Sequence, residues 1–402
     1  MTGHLSFAIR ALKTNDVAGA EIAARLILDQ APDDAAALHL LGIIAARVQA
    51  FDQAENYFAR ALDAEPGNAQ IAQNLAATRA APRPAVPPGR RHLVIREWGF
   101  GFWSDVSHTL GALLLAEATG RIPVTWWGTA SLFSDDSGRD AFQNFFQPVS
   151  DVALEKLDGA FFPARWNASN LRDTSQAKWQ GRTGPVYFFN RPEPVAVCDF
   201  FAAVPNILPW LAPSHPLHGK SVHAAYRYLV DKYLHPRADI IAACDQFLDK
   251  ELKGVSFVAA HLRGSDKLLE DAASRSVNQA ILADLHAADP SQRIFILTDD
   301  ERCLAMARAA FGDRIVATRC QRTQDDKGVH YQAATDKVLA GREAMIDATV
   351  ALRAGRFLGN GLSNVSAMIS VLQDWPDGAC TLKGEWILAS RGIRLYEKQS
   401  QA

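Results

Sequence analysis

The alternation of apolar and polar positions divides the chain into two kinds of sequence. Through residue 80, apolar and small residues recur at helical spacing. Phe7, Ala8, Ala20 and Leu28 are matched 34 positions on by Leu41, Gly42, Ala54 and Leu62, and Pro32 by Pro66. Residues three and four apart share one side of a helix, so the pattern predicts antiparallel helix pairs stacked as a repeat, with Ala69 to Ala80 as a further helix over the second pair. Two pairs are few for an independent array, and the segment is expected to rest on the next domain of the chain. From His92 onward, short apolar runs alternate with helical stretches. His92–Arg96, Ile122–Gly128, Val255–Ala260, Arg293–Leu297 and Arg356–Gly359 read as strands. Residues 106–119, 222–233, 239–250, 301–310 and 342–352 have helical spacing. Runs this apolar suit strands buried on both faces, so the alternation predicts an α/β fold with parallel sheets covered by helices.

Residues 81–91, rich in proline, cannot form a helix and read as a stiff linker. About residues 150 to 240 the signals are mixed, with proline-rich and aromatic pieces such as Tyr187-Phe-Phe-Asn-Arg-Pro. The Trp98, Trp103, Trp126 and Trp127 group is expected either in the core or as a set of sugar platforms beside a cleft. Charge and composition narrow the class. A net charge of −2 gives no global attraction to nucleic acid or anionic lipid. Five cysteines without C-x-x-C spacing predict free thiols in a reducing compartment. The sequence opens without a basic and apolar leader, and no run of about 18 apolar residues occurs, so a cytoplasmic location without a membrane span is expected.

The candidate chemistry gathers where predicted strands end. The strand from Val255 runs into His261, Arg263, Asp266 and Lys267, a concentration of polar groups at the carboxyl end of a sheet. Arg263 offers a planar fork to two phosphate oxygens and Lys267 a point charge, which points to a diphosphate. The next strand ends in Thr298-Asp299-Asp300, and the last in a turn containing Ser363, Asn364 and Ser366. Adjacent Asp299 and Asp300 point to opposite sides of an extended segment, so they either contact a nucleotide or cap the following helix, and do not read as a metal pair. Gly99 and Gly101 lack the third glycine of a dinucleotide fingerprint, and neither a P-loop nor a nucleophile elbow is present.

The segment with His261, Arg263, Asp266 and Lys267 resembles the His-x-Arg-Arg-x-Asp-Lys motif of the α1,6- and protein O-fucosyltransferase superfamily, which includes the rhizobial chitin-oligosaccharide fucosyltransferases. It departs at Gly264, where that family usually carries a second arginine. The strand ending Thr298-Asp299-Asp300, the helix with Asp347 and the turn with Ser363 and Asn364 follow in that family's order, over about residues 255 to 372. The first 80 residues resemble tetratricopeptide repeats.

The resemblance implies a GT-B pair of Rossmann-like domains: helical repeats over 1–80, linker 81–91, an acceptor-side domain over 92–240 and a nucleotide-sugar domain over 241–402. It implies inverting transfer of fucose from GDP-fucose to a hydroxyl of a glycan or protein acceptor, with no metal and no cofactor beyond the donor. Arg263 would meet the charge that builds on the β-phosphate as the glycosidic bond breaks. His261, Asp266, Thr298, Asp299 and Asp300 would line the nucleotide, Asp347 would hold the base edge of guanine, and Ser363 with Asn364 would meet a phosphate. In the mammalian core-fucosyltransferase branch a carboxylate lies eight residues after the first motif arginine, which places the acceptor base at Asp271, with Glu270 as substitute and Lys267 as electrostatic neighbour. The repeats imply a protein partner or self-association. The competing expectation is a non-catalytic adaptor whose nucleotide-sugar domain is degenerate at Gly264, and another GDP-sugar stays open.

Overall fold

The computed structural model describes residues 2–83, 85, 89–173, 184–264, 272–287, 289–332 and 335–391. Five helices open it: α1 Thr2–Lys13, α2 Val17–Gln30, α3 Ala35–Arg47, α4 Phe51–Ala64 and α5 Ala69–Ala80. Asp34 and Asn68 each cap the next helix, accepting from the N–H of Ala37 at 2.9 Å and of Ile71 at 3.2 Å. Helix starts leave such donors open, so the sequence repeat is a repeat of caps as well as of apolar positions. At Gly42 a Cβ would lie 2.5 Å from the Phe58 ring of α4. Only glycine lets the two helices close there.

The next elements are β1 His92–Arg96, α6 Phe102–Ala118, β2 Ile122–Trp126, β3 Phe161–Phe162, β4 Val195–Cys198, α7 Val204–Ile207 and α8 Val222–Tyr233. Their four strands form one parallel sheet in the order β2-β1-β4-β3. Then come α9 Ala238–Glu251, β5 Phe257–His261, α10 Ala272–His286, β6 Arg293–Leu297, α11 Glu301–Phe311, β7 Ile315–Val316, α12 Lys337–Ala351, β8 Arg356–Asn360, α13 Asn364–Ile369 and β9 Cys380–Lys383. The second sheet is also parallel, in the order β7-β6-β5-β8-β9. The protein is therefore α/β, two parallel sheets preceded by an all-helical segment. In each sheet the chain builds to one side of its first strand and returns to the other, so the order reverses between β1 and β4 and between β5 and β8. The crevice outside the carboxyl ends at such a reversal is where open α/β sheets hold ligands.

Two helices begin earlier than their apolar spacing predicts. Helix α6 starts at Phe102 because the Asp105 carboxylate reaches back to the N–H groups of Gly99 at 2.8 Å and Phe100 at 3.3 Å. Helix α12 starts at Lys337 because Asp336 caps it through the Leu339 N–H at 2.9 Å. The start of α6 meets the second α/β unit. A Cβ on Gly341 of α12 would fall 2.6 Å from the Phe145 ring and 3.4 Å from that of Phe102, and Phe133 lies 6.1 Å from the ring of His330. The carboxyl end of the first sheet therefore packs against α12 and the segment before it.

The repeat segment is fused to this body rather than tethered to it. Ten of the fourteen residues of α2 are buried. Glu21 accepts from Arg25 Nε at 2.7 Å and from the Trp210 indole, while Arg25 also donates to the Tyr57 hydroxyl at 2.9 Å. The Tyr187 hydroxyl accepts from the Val17 N–H at 3.1 Å, and Arg391 forks onto Asp29 at 2.9 and 3.0 Å. One buried cluster runs from Ala8 through Trp127 to Phe357, so repeats and sheets share a core.

Candidate functional site

Strand β5 is buried along its whole length, and its end carries His261 into the reversal beside β8. Two residues on, Arg263 is held at its backbone by Asn278 of α10, which accepts from its N–H at 3.1 Å and donates to its carbonyl at 2.7 Å. That reciprocal pair fixes the direction in which the arginine leaves the strand. Its guanidinium crosses the reversal and donates to Ser363 Oγ at 2.7 Å, from the residue that precedes α13.

His261 is 5% exposed and its Nδ1 lies 2.7 Å from Ser366 Oγ. The same hydroxyl oxygen accepts from the Asn360 N–H at 3.0 Å. The Ser366 hydroxyl thus joins the imidazole to the backbone of β8. Burial, and then the charge of Arg263, push the imidazole pKa down to about 3. The histidine is neutral at ordinary pH and leaves Arg263 as the cation of this corner.

One strand over, Thr298 accepts from the Asp300 N–H at 3.2 Å, and Asp299 is joined to a neighbouring loop through its carbonyl, which accepts from Thr323 at 2.8 Å. Asp300 is fully buried and caps α11, accepting from the Arg302 N–H at 2.8 Å and from the Arg302 guanidinium at 2.8 and 3.0 Å. Of the two expectations for this carboxylate, capping is the one its bonds describe. It also gives Gly264 a physical reason: a Cβ at 264 would sit 2.1 Å from the Cβ of Asp300. No side chain fits between the end of β5 and this cap.

Asp347 stands on α12 and faces the loop after β7. Its carboxylate accepts from the Thr318 hydroxyl at 2.5 Å and meets the Cys320 thiol at 3.8 Å. Burial pushes its pKa up to about 6, against the lowering effect of the Thr318 bond and of nearby Arg322. Arg322 ties this loop back to β6, donating to the carbonyls of Thr298 at 3.2 Å, Thr318 at 2.9 Å and Cys320 at 3.4 Å. The polar edge is therefore continuous, from Ser363 after β8 through His261 and Arg263 to Thr298 and on to Asp347. Asn364 is the half-buried first residue of α13. That helix has only six residues, so an anion here would lean on side chains more than on a helix dipole.

Asp266, Lys267, Glu270 and Asp271 lie outside the described residues. Trp98, Trp103, Trp126 and Trp127 are at most 6% exposed. They are core, and the sugar-platform expectation is corrected: Trp98, Trp103 and Trp127 pack against Phe102, Phe142, His108 and Phe201, and buried Trp126 lies under Arg172. Among the described residues no three His, Cys, Asp or Glu side chains converge as a metal site would require, and no helix is long and apolar enough to cross a membrane. Asn278, Thr318, Cys320 and Arg322 belong to the site without having been singled out in the sequence.

No protein-family model matches this chain, and no curated protein sequence matches it. Among solved structures it is similar to NodZ alpha-1,6-fucosyltransferase co-crystallized with GDP, at 21% identity and a TM-score of 0.47 over 71% of this chain and 93% of that one. It is similar to Arabidopsis thaliana FUT1 in complex with GDP, at 10% identity and a TM-score of 0.45 over 80% and 79% of the two chains. It is also similar to POFUT1 in complex with GDP, at 14% identity and a TM-score of 0.44 over 74% and 100%. At these values the functional reading stands on the chain's own residues.

Proposed function

We propose that this protein is a glycosyltransferase that takes its sugar from a GDP-linked donor, with fucose as the sugar, inversion at the anomeric carbon, no metal ion, and a glycan or protein hydroxyl as acceptor. The observation that carries the reading is the Arg263–Ser363 bond, made across the strand-order reversal of the second sheet at 2.7 Å. A guanidinium and a hydroxyl fixed at that point offer hydrogen-bond donors to one anionic group, at the place in such a sheet best suited to a diphosphate. Ser363 then turns its hydroxyl from Arg263 to a phosphate oxygen.

The remaining edge supports a nucleotide laid across the strands. From β8 to β7 are three strand spacings, about 14 Å, comparable to the reach of an extended nucleoside diphosphate. The far end is Asp347, whose carboxylate in ionised form would accept two adjacent N–H groups of guanine in place of the Thr318 and Cys320 donors it meets now. Uracil has no such pair of adjacent donors, which is why the reading favours GDP over UDP. As the glycosidic bond breaks, negative charge builds on the β-phosphate, and a cation already oriented there lowers the barrier without reorganising. Arg263 does this, with a neutral His261 beside it at the end of β5. Deprotonation of the acceptor hydroxyl is assigned to Asp271, with Glu270 as substitute and Lys267 beside them, on the strength of the motif. Gly264 does not weigh toward a degenerate site, because Asp300 occupies the space a side chain would need.

The test is calorimetric titration of the full chain with GDP, UDP, GDP-fucose and GDP-mannose in EDTA, alongside Arg263→Ala. Binding of GDP and GDP-fucose but not UDP, lost in the variant, is the expected result. A folded wild type that binds none of these nucleotides removes the donor site and leaves the adaptor reading.

A further inference from the structure

The contact between the repeats and the α/β body carries an unbalanced set of charges that the donor site does not use. On the repeat side, Arg10 and Lys13 lie in the last turn of α1 and Arg47 ends α3. All three are exposed. On the body side, Arg90 is exposed and Arg91 and Arg191 are half-buried at the amino end of the first sheet. The two groups flank one hydrogen bond: Asn190 Nδ2 donates to the Val48 carbonyl at 3.0 Å. Arg47 immediately precedes Val48, and Arg191 immediately follows Asn190.

Acidic residues border this patch without lying among its cations: Asp16 caps α2 and Glu193 stands near Arg121. Residues 3–15, 35–51, 89–96 and 184–192 contain no Asp or Glu. Among the described residues none of these six cations makes an ion pair. By contrast α2 and α4 carry Glu21, Asp29, Asp52, Glu55 and Asp63 against only Arg25 and Arg60. Carbonyls and a ring, not carboxylates, hold the body-side guanidinium groups, that of Arg191 lying 3.7 Å from the Phe162 ring centroid. Arg91 donates to the carbonyls of Arg191 at 3.4 Å and Thr119 at 2.9 Å, and buried Arg121 behind them donates to those of Arg191, His92 and Glu193. Carbonyls solvate a guanidinium without cancelling its charge. The consequence is visible at His92, whose pKa is lowered by burial and then by Arg90 and Arg121. A cation at a helix C-terminus complements the helix dipole, which accounts for Arg10, Lys13 and Arg47 singly. It does not account for the second group of cations beyond the Asn190–Val48 bond.

We propose that this seam is a docking site for an acidic polypeptide segment, bound across repeat and body together. The proposal is independent of the donor reading, since the cations lie at the amino end of the first sheet, away from the carboxyl edge where Arg263 stands. The chain as a whole has a net charge of −2, which disfavours a nucleic acid or an anionic membrane as the partner: both present extended negative charge that the rest of the surface would repel. A short acidic stretch of a protein meets only the local patch. Such a partner would bring an acceptor protein, or a protein that carries the acceptor, to a fixed place on the body.

The test uses a fluorescein-labelled poly-glutamate peptide and the full chain, read by anisotropy at low and at physiological salt, with circular dichroism to establish that each variant is folded. Arg10→Glu with Lys13→Glu tests the repeat side, Arg91→Glu the body side, and Lys250→Glu, a 68% exposed cation elsewhere, serves as control. Binding that weakens with salt and falls about tenfold on reversal of either side, but not in the control, is expected. GDP titration of the same variants stays at the wild-type value. No poly-glutamate binding, equal loss in the Lys250 control, or preferential binding of a single-stranded oligonucleotide or of phosphatidylserine vesicles would overturn the proposal.

Discussion

The two parallel sheets share a topology and differ in what they do with its reversal point. In the second sheet the reversal between β5 and β8 is spanned by polar groups, with Arg263 bonded to Ser363 and His261 to Ser366. In the first, the reversal between β1 and β4 is closed over. Arg96 and Asp199 follow the paired positions Ile95 and Cys198. Arg96 lies 4.7 Å above the Trp166 ring, and Asp199 accepts from the Trp166 indole at 2.8 Å and from Arg165 Nε at 2.9 Å. Under the proposed function, the same fold position serves binding in one sheet and cohesion in the other. A charged residue after an apolar strand acquires its meaning from what crosses above it.

The largest effect that would sharpen this contrast is at Arg263. Under the proposed function, Arg263→Ala lowers kcat by roughly a hundred- to a thousandfold and leaves the melting temperature near that of the wild type. Asp199→Ala in the first sheet is expected to do the reverse. Removing a carboxylate from a buried fork costs about 3 kcal/mol of stability, read by urea unfolding, while the folded fraction binds GDP as before. If Asp199→Ala abolishes GDP binding without loss of stability, the contrast is wrong. Gly264→Ala should fall between, because its Cβ meets a buried cap at 2.1 Å: about 1–3 kcal/mol of destabilisation, with weaker GDP binding as the end of β5 shifts.

The smallest effect is a pH dependence. Only the ionised Asp347 accepts from two guanine N–H groups, and its pKa in the unliganded protein is about 6. GDP affinity should be flat above that value and decline by up to about tenfold per pH unit below it. His261, with a pKa near 3, stays neutral through this window and contributes nothing to the decline. The sign for stability is opposite. A folded-state pKa above the ordinary carboxylate value means that ionised Asp347 weakens the fold above about pH 6, and protonation on acidification relieves it. Asp347→Asn should flatten the binding curve, and an unchanged slope in that variant would assign the titration elsewhere.

The sequence is legible where one physical signal suffices. Strands β1, β2, β5, β6 and β8 are apolar runs followed by polar residues, and caps at Asp34 and Asn68 mark helices by themselves. Strands β3 and β7 have two residues each, too few to show a period. Strand β4 is an apolar run of only four residues inside a proline-rich stretch, and β9 alternates over just four residues, so both are too short to stand out. Within the site, Arg263 and Ser363 are visible because their residue types suit phosphate. Asn278 is not, since it is an ordinary polar residue of a helix until the fold brings it to Arg263, 15 positions away; Ser366 is visible as part of the turn, but its bond to His261, 105 positions away, is not. Asp300 could be assigned two roles from sequence, and only its bonds to Arg302 in the folded chain distinguish them.

Trp210 donates its indole proton to Glu21, a residue of the repeat segment. Cutting the chain after α5 would strip that acceptor away and open the apolar surface that α2 covers. The helical segment is consequently not a portable module that could be grafted onto another protein or replaced by a tag. Cargo carried on it would arrive at one constant bearing, the way a jig presents a workpiece, instead of searching on a leash.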